Sequence, residues 1–199
     1  RSPRAVEEAE PSALVVGWQG ETRRTDAVLG TTVDVLVARA ACDLYVERVG
    51  REANGVESVL LPVAGGPHVG AAARAAGAVA TRNGARVLVC SVRVPDGDRA
   101  DAERFVEEGR EALAERIGPD VTVETAVLEG TDVADALVAE APSNDVVVLG
   151  ATRQGAVRRR VAGTVPRCVA RRTDRTVVLA RDEATVGGRF GRLGGLLRR

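Results

Sequence analysis

The sequence predicts a doubly wound, open parallel α/β sheet with part of a second, similar unit attached, and three observations carry that prediction. Short Val- and Leu-rich runs alternate with amphipathic or Ala-rich stretches along most of the chain, as strands joined by crossover helices do. Hydrophobic residues make up 45% of the 199 residues and aromatic ones only 2%. The core is therefore Val, Leu and Ala, which suits a sheet covered by helices on both faces. Third, Gly17-Trp18-Gln19-Gly20 followed by Gly30-Thr31 returns as Gly150 and then Gly163-Thr164, both pairs at one offset of 133 residues. The flanks keep that register. Leu14-Val15-Val16 answers Val147-Val148-Leu149, Val28 answers Val161, Arg39 answers Arg172, and Leu44-Tyr45-Val46 answers Val177-Val178-Leu179. A repeat of this kind implies two copies of one domain. The first copy is expected to be incomplete, because only sixteen residues precede its first glycine.

Each element follows from its local pattern. Arg1 to Ser12 is polar and linker-like, and Ala13 to Val16 is a short buried strand entering Gly17. Thr31 or Thr32 can cap a helix through about Ala40, with Val33, Leu36, Val37 and Ala40 on one face. Leu44 to Val49 reads as a strand. The complete unit then opens with a strand over Val56 to Val63, ending at Pro62-Val63-Ala64-Gly65-Gly66. His68 to Arg82 is an Ala-rich helix stopped by Asn83-Gly84, where glycine accepts the left-handed cap. Strands over Ala85 to Val94 and Val121 to Leu128 flank an amphipathic helix from Arg99 to Ile117. Thr131 or Asp132 caps a short helix to Ala141-Pro142. Asp145 to Leu149 is a strand, Gly163 to Arg172 a helix and Thr176 to Arg181 the last strand. Asp182 to Arg199 is a Gly/Arg-rich tail, in which Phe190, Leu193 and Leu197 among arginines offer a membrane contact that its glycines disfavour.

Composition narrows the function classes. Twenty-eight basic residues balance twenty-eight acidic ones, so no net electrostatic attraction to nucleic acid is expected. All the basic residues are arginine. Cys42, Cys90 and Cys168 are odd in number, lack metal-ligand spacing and read as small buried hydrophobes in a reducing compartment. No apolar run approaches the roughly 20 residues that span a bilayer. The chain begins at Arg1 and contains no methionine, which suggests a piece of a longer protein. His68, the only histidine, is expected at a helix start facing solvent. Asp96, Asp98 and Asp101 look metal-like only superficially, and a turn with a helix cap accounts for them.

Glycines after a sheet strand let backbone N–H groups approach an anion, and the following helix start adds positive dipole. In such a sheet the ligand crevice lies at the carboxyl ends of the strands beside the switch point. Pro62 to Gly66 and Gly150 to Thr164 would meet there, with Gly163-Thr164 able to hold a phosphate. The spacing G-x2-G-x9-G-[ST] between a Val-rich strand and a helix is the more specific signal, and Gly17, Gly20, Gly30 and Thr31 satisfy it fully.

This pattern resembles the universal stress protein family, over about Val56 to Arg181 as a whole domain and Ala13 to Val49 as the back half of another. The resemblance implies a five-stranded sheet in the order 3-2-1-4-5 and an adenine nucleotide such as ATP as ligand. It implies a site formed by Pro62, Val63, Ala64, Val92, Leu149, Gly150, Thr152, Arg153, Gly163, Thr164 and Val165, with Gly17, Gly20, Gly30 and Thr31 as its counterpart in the first copy. In the family an Asp at the end of the first strand holds the nucleoside; here that position is Ala64. The second loop glycine is replaced by Arg153, which with Arg158, Arg159 and Arg160 can offer guanidinium groups to phosphate. The expected organisation is residues 1–50 as the back half of a first domain, 56–181 as a complete domain and 182–199 as a flexible tail. The expected role is a non-catalytic, cytoplasmic regulatory or stress-response module, binding nucleotide or degenerate. The alternative is the cytosolic C-terminal part of an amino-acid or ion transporter, with a membrane segment ahead of Arg1. Leu44 to Val46 and Val177 to Leu179 would otherwise be bare apolar edges. The two copies are expected to pack together there as an internal pseudo-dimer, or to pair as a homodimer. Catalytic residues and metal ligands are not expected.

Overall fold

The computed structural model describes residues 11–18, 36, 42–50, 55–151 and 164–182. The expectations for the glycine-rich stretch from Gly20 to Thr31, for Thr152, Arg153 and Gly163, and for the tail beyond Asp182 lie outside these residues. The elements in chain order are β1 (Ala13–Gly17), β2 (Asp43–Arg48), β3 (Ser58–Pro62), α1 (Val69–Asn83), β4 (Arg86–Arg93), α2 (Arg99–Ala114), β5 (Val123–Glu129), α3 (Val133–Glu140), β6 (Val146–Gly150), α4 (Thr164–Arg172) and β7 (Thr176–Arg181). A 3-10 turn at Ala141–Ser143 joins α3 to β6. One helix ends earlier than its pattern suggests. α2 stops at Ala114, because the Arg116 N–H turns back to the Leu113 carbonyl.

The seven described strands form one sheet in the order β1-β2-β7-β6-β3-β4-β5. From β3 to β7 every pairing is parallel, so the chain crosses over between neighbouring strands by way of helices. Alternation along the strands divides the core in two. Leu60, Val147, Leu149, Val177 and Leu179 face one side with Leu137 of α3, Val169 of α4 and Leu36. Val59, Leu61, Val87, Val89, Val146 and Val148 face the other, under the alanines of α1 and Val106 and Leu113 of α2. α1 can lie close to the sheet because its buried face is Ala71, Ala72, Ala73, Ala76, Gly77 and Ala80. Its last turn closes on Gly84 in the left-handed region (φ 66°), a conformation that costs glycine nothing.

The pairing registers repeat at the sequence offset. β1 pairs with β2 in parallel through Leu14↔Leu44, as β6 pairs with β7 through Val147↔Val177. Each first strand is followed by the same hydrogen bond, Trp18 N–H to the Glu47 carbonyl and Ala151 N–H to the Ala180 carbonyl, both 2.7 Å. β2 and β7 are antiparallel, with Val46 opposite Leu179 and Leu44↔Arg181 mirrored by Arg48↔Val177. Exchanging the two halves leaves that register unchanged. Side chains obey the same exchange: Arg48 Nη2 donates to the Arg175 carbonyl at 2.8 Å, and Arg181 Nη2 to the Cys42 carbonyl at 2.8 Å. Arg48 Nη2 also reaches the Thr173 carbonyl at 2.6 Å, so it ties off the turn after α4.

Cys42 and Cys90 are buried and Cys168 is half-buried. Burial, with Glu140 nearby, pushes the Cys90 thiol up to about 12, which leaves it protonated and inert. Asp98 caps α2 by accepting from the Ala100 N–H at 2.8 Å, and Asp101 pairs with Arg104.

Candidate functional site

Four elements converge at the carboxyl ends of β3 and β6, where the strand order turns. β3 runs out through Pro62, Val63 and Ala64. Gly65 and Gly66 then bend the chain into α1 with positive φ, 67° and 90°. The bend at Gly65 has no room for a side chain: a Cβ there would sit 2.7 Å from the Phe105 ring. β6 ends at Gly150, against which the start of α1 is packed; a Cβ on Gly150 would lie 3.2 Å from His68 Cβ. Between these ends opens a cavity of about 150 Å³, walled by Pro62 to Gly65, His68, Val69 and Ala72 from the β3–α1 turn and Ser91 and Val92 from β4. Val133 and Leu137 of α3, Leu149 and Gly150 of β6, and Val165 and Pro166 of α4 complete it.

Of the residues named from sequence, the structure brings Pro62, Val63, Ala64, Val92, Leu149, Gly150 and Val165 to this one cavity. Thr164 opens α4 beside it. Gly17 ends β1, in the other half of the molecule.

His68 departs from its expectation: it is buried, 5% exposed, rather than turned to solvent. Its Nδ1 accepts the Asp182 N–H at 3.2 Å. The cause is tertiary, since the chain leaving β7 and the bare backbone of Gly150 close over the helix start. Ser91, Val69, Ala72, Val133, Leu137 and Pro166 were also missed. The one local signal available was the polar Ser91 inside an otherwise apolar strand run. Ser91 is 3% exposed and lines the cavity.

The cavity is wired to the junction between the halves. Asp182, whose N–H binds His68, also accepts from Arg74 Nη2 at 3.1 Å, and Arg74 pairs with Asp43 of β2 at 2.5 Å. Burial draws the Arg74 guanidinium down, but hydrogen bonds with Tyr45, Asp182 and Asp43 outweigh it and hold it above its ordinary value. At the opposite end of the strands, Asp145 clamps β3 to β6 by accepting from Glu57 N–H (2.9 Å), Ser58 N–H (3.0 Å) and Ser58 Oγ (3.1 Å). Burial opposes its charge; these donors and Arg175 prevail and keep its carboxyl below the usual range.

The fold defines a class: a doubly wound α/β domain with a crevice at the switch point, and no described group of His, Cys, Asp or Glu placed to hold a metal ion. The sequence profile of the universal stress protein family matches residues 55–181, and the chain belongs to that family. No curated protein matches it. Among solved structures, a universal stress protein from Archaeoglobus fulgidus superimposes with a TM-score of 0.55 at 16% identity, over 62% of this chain and 98% of that one. A universal stress protein in complex with cAMP gives 0.51 at 21% identity, over 63% and 97%. A longer one, from Archaeoglobus fulgidus DSM 4304, gives 0.61 at 18% identity and covers 90% of this chain; the chain spans 64% of its length. These likenesses establish the fold. Among the described residues no helix is long and apolar enough to cross a membrane.

Proposed function

We propose that this chain is a non-catalytic, cytoplasmic regulatory module of the universal stress type that binds an adenine nucleotide in the cavity between β3 and β6. The observation that carries the reading is the convergence of Val63, Val92, Leu149, Gly150 and Val165, residues far apart in sequence, on one crevice. A related fold in complex with cAMP lends support. In this reading Gly163, Thr164 and residues 152–160 receive the phosphates, and the arginines among them stand in for the missing second glycine. Ala64 removes the carboxylate that would hold the nucleoside. Losing one charge-assisted hydrogen bond weakens binding by about 1.5–3 kcal/mol, so the affinity is expected to be modest.

The same reading makes residues 13–49 the back half of a first copy, held on the complete copy through β2 and β7 as an internal pseudo-dimer. Its support is the exchange-symmetric register centred on Val46 and Leu179, together with the reciprocal Arg48 and Arg181 bonds. Titration calorimetry with ATP, ADP and cyclic AMP tests the binding. Micromolar affinity that disappears in Gly163→Val is the expected result, and undetectable heat with every nucleotide would leave a scaffold without a nucleotide ligand.

A further inference from the structure

The exchange symmetry of β2 and β7 fails at one end. Continuing their register by one residue sets Asp43 opposite Asp182. At the offset of 133 residues their counterparts are Thr176 and Val49, neither of them charged; there the Gly50 N–H donates to Thr176 Oγ1 at 3.1 Å. Asp43 and Asp182 are only 17% and 18% exposed, so water screens the repulsion between their carboxylates only in part. Arg74 of α1 answers both, its Nη2 2.5 Å from Asp43 and 3.1 Å from Asp182. This end of the junction is therefore closed by a group that belongs to neither strand. Arg74 stands less than two turns along α1 from His68 and Val69, which wall the cavity. Asp182 meets that helix start twice, since its carboxylate takes Arg74 and its N–H donates to His68 Nδ1 at 3.2 Å. Gly70 lies between, and a Cβ there would sit 3.7 Å from Arg74 and 3.9 Å from Asp182. The first turns of α1 thus touch the cavity on one side and the junction on the other. A rigid helix carries a shift at one of these to the other.

We propose that Arg74 couples the cavity to the junction, so that a ligand held against His68 and Val69 tightens the grip of β7 on the β1–β2 unit. The ligand fixes the start of α1, and the fixed helix holds the guanidinium between Asp43 and Asp182. The inference rests on the reading of this cavity as the ligand site and says how its occupancy is passed on. Coupling of this kind is reciprocal. The clamp therefore strengthens binding by the factor by which the ligand strengthens the junction, although Arg74 does not line the cavity.

The test is amide hydrogen exchange on the full chain, with ATP and adenosine as probes, for the wild type, Arg74→Met, Asp43→Asn and His68→Phe. Unchanged exchange over residues 86–93 checks that each variant keeps its core. Without a probe, Arg74→Met and His68→Phe are expected to speed exchange over residues 43–48 by about tenfold. A saturating probe is expected to slow it about fivefold in the wild type, and to leave it unchanged in Arg74→Met and Asp43→Asn. Calorimetry should then show Arg74→Met binding the probe about fivefold more weakly. Where Arg74→Met also loses protection over 86–93, Asp43→Asn carries the comparison. A probe that binds the wild type and the clamp variants alike, and leaves 43–48 unmoved, overturns this inference while the nucleotide reading stands. Where neither probe binds, the nucleotide reading falls and His68→Phe decides. Faster exchange over 43–48 in that variant upholds the link from cavity wall to junction, and unchanged exchange overturns it.

Discussion

β6 and β1 share one pattern and one register, and their surroundings make them different objects. Both run Val-rich into a glycine, pair in parallel with the next strand at one register, and hand their last hydrogen bond to a carbonyl of that strand. Yet Val148 is fully buried, whereas its counterpart Val15 is 66% exposed. The cause is the neighbourhood. β6 has β3 on its far edge, while β1 ends the described sheet. α1 and α2 cover the face of the sheet that holds Val148. The other face is treated alike in both halves, since Leu14, Val16 and Leu36 join the cluster that holds Val147, Leu149 and Val169. A strand's sequence sets its register and its hydrogen bonds, whereas burial, and with it the possibility of a cavity, belongs to what packs around it. Gly150 closes on His68 and walls a cavity; Gly17 has no described residue within 4 Å of where its side chain would be.

The largest contrast comes from placing one charge at each of these positions. Val148→Asp buries a carboxylate in a dry core and is expected to cost more than about 4 kcal/mol, enough to prevent folding. Val15→Asp should stay within about 0.5 kcal/mol. Denaturant unfolding reads both, and a similar loss from Val15→Asp would mean that its face is covered in solution.

The exchange symmetry is sharpened by Arg48→Met and Arg181→Met. Each removes a guanidinium that bonds a carbonyl of the other half, so each should cost about 1–3 kcal/mol. A large effect from one and none from the other would break the equivalence of the halves.

A smaller effect attaches to Asp145, whose place in the first half is taken by Ser12. Its carboxyl is depressed when folded. Its stabilising bonds are therefore fully present above the unfolded value of about 3.9 and are lost as pH falls through the lower folded value. Asp145→Asn is expected to cost about 1 kcal/mol at neutral pH and to flatten the loss of stability below about pH 4. An unchanged acid profile would mean that the clamp carries no stability.

Much of this was legible from residues alone, and the rest fails for identifiable reasons. β7 runs over Thr176–Arg181 as its pattern predicts, and Asn83-Gly84 stops α1 because a left-handed cap is a local requirement. The offset of 133 residues in the glycines returns as hydrogen-bond register, since register is fixed by the same strand patterns that carry the repeat. Seven of the named site residues meet because the carboxyl ends of β3, β4 and β6 must lie together in this topology. His68 was misjudged because its burial depends on the chain after β7, more than a hundred residues away, and no local pattern records that. Val133 and Leu137 belong to the short helix that Asp132 caps, and nothing in their spacing says that they border a cavity.

The central proposal is that a ligand binds in the cavity between β3 and β6 and not beside β1 and β2. Methyl NMR on Val- and Leu-labelled protein titrated with adenosine or ATP tests it most directly. The account predicts saturable shifts at Val63, Val69, Val92, Leu137, Leu149 and Val165, with Leu14 and Val16 unmoved. Saturable shifts centred on Leu14 and Val16, with the cavity methyls silent, would contradict it.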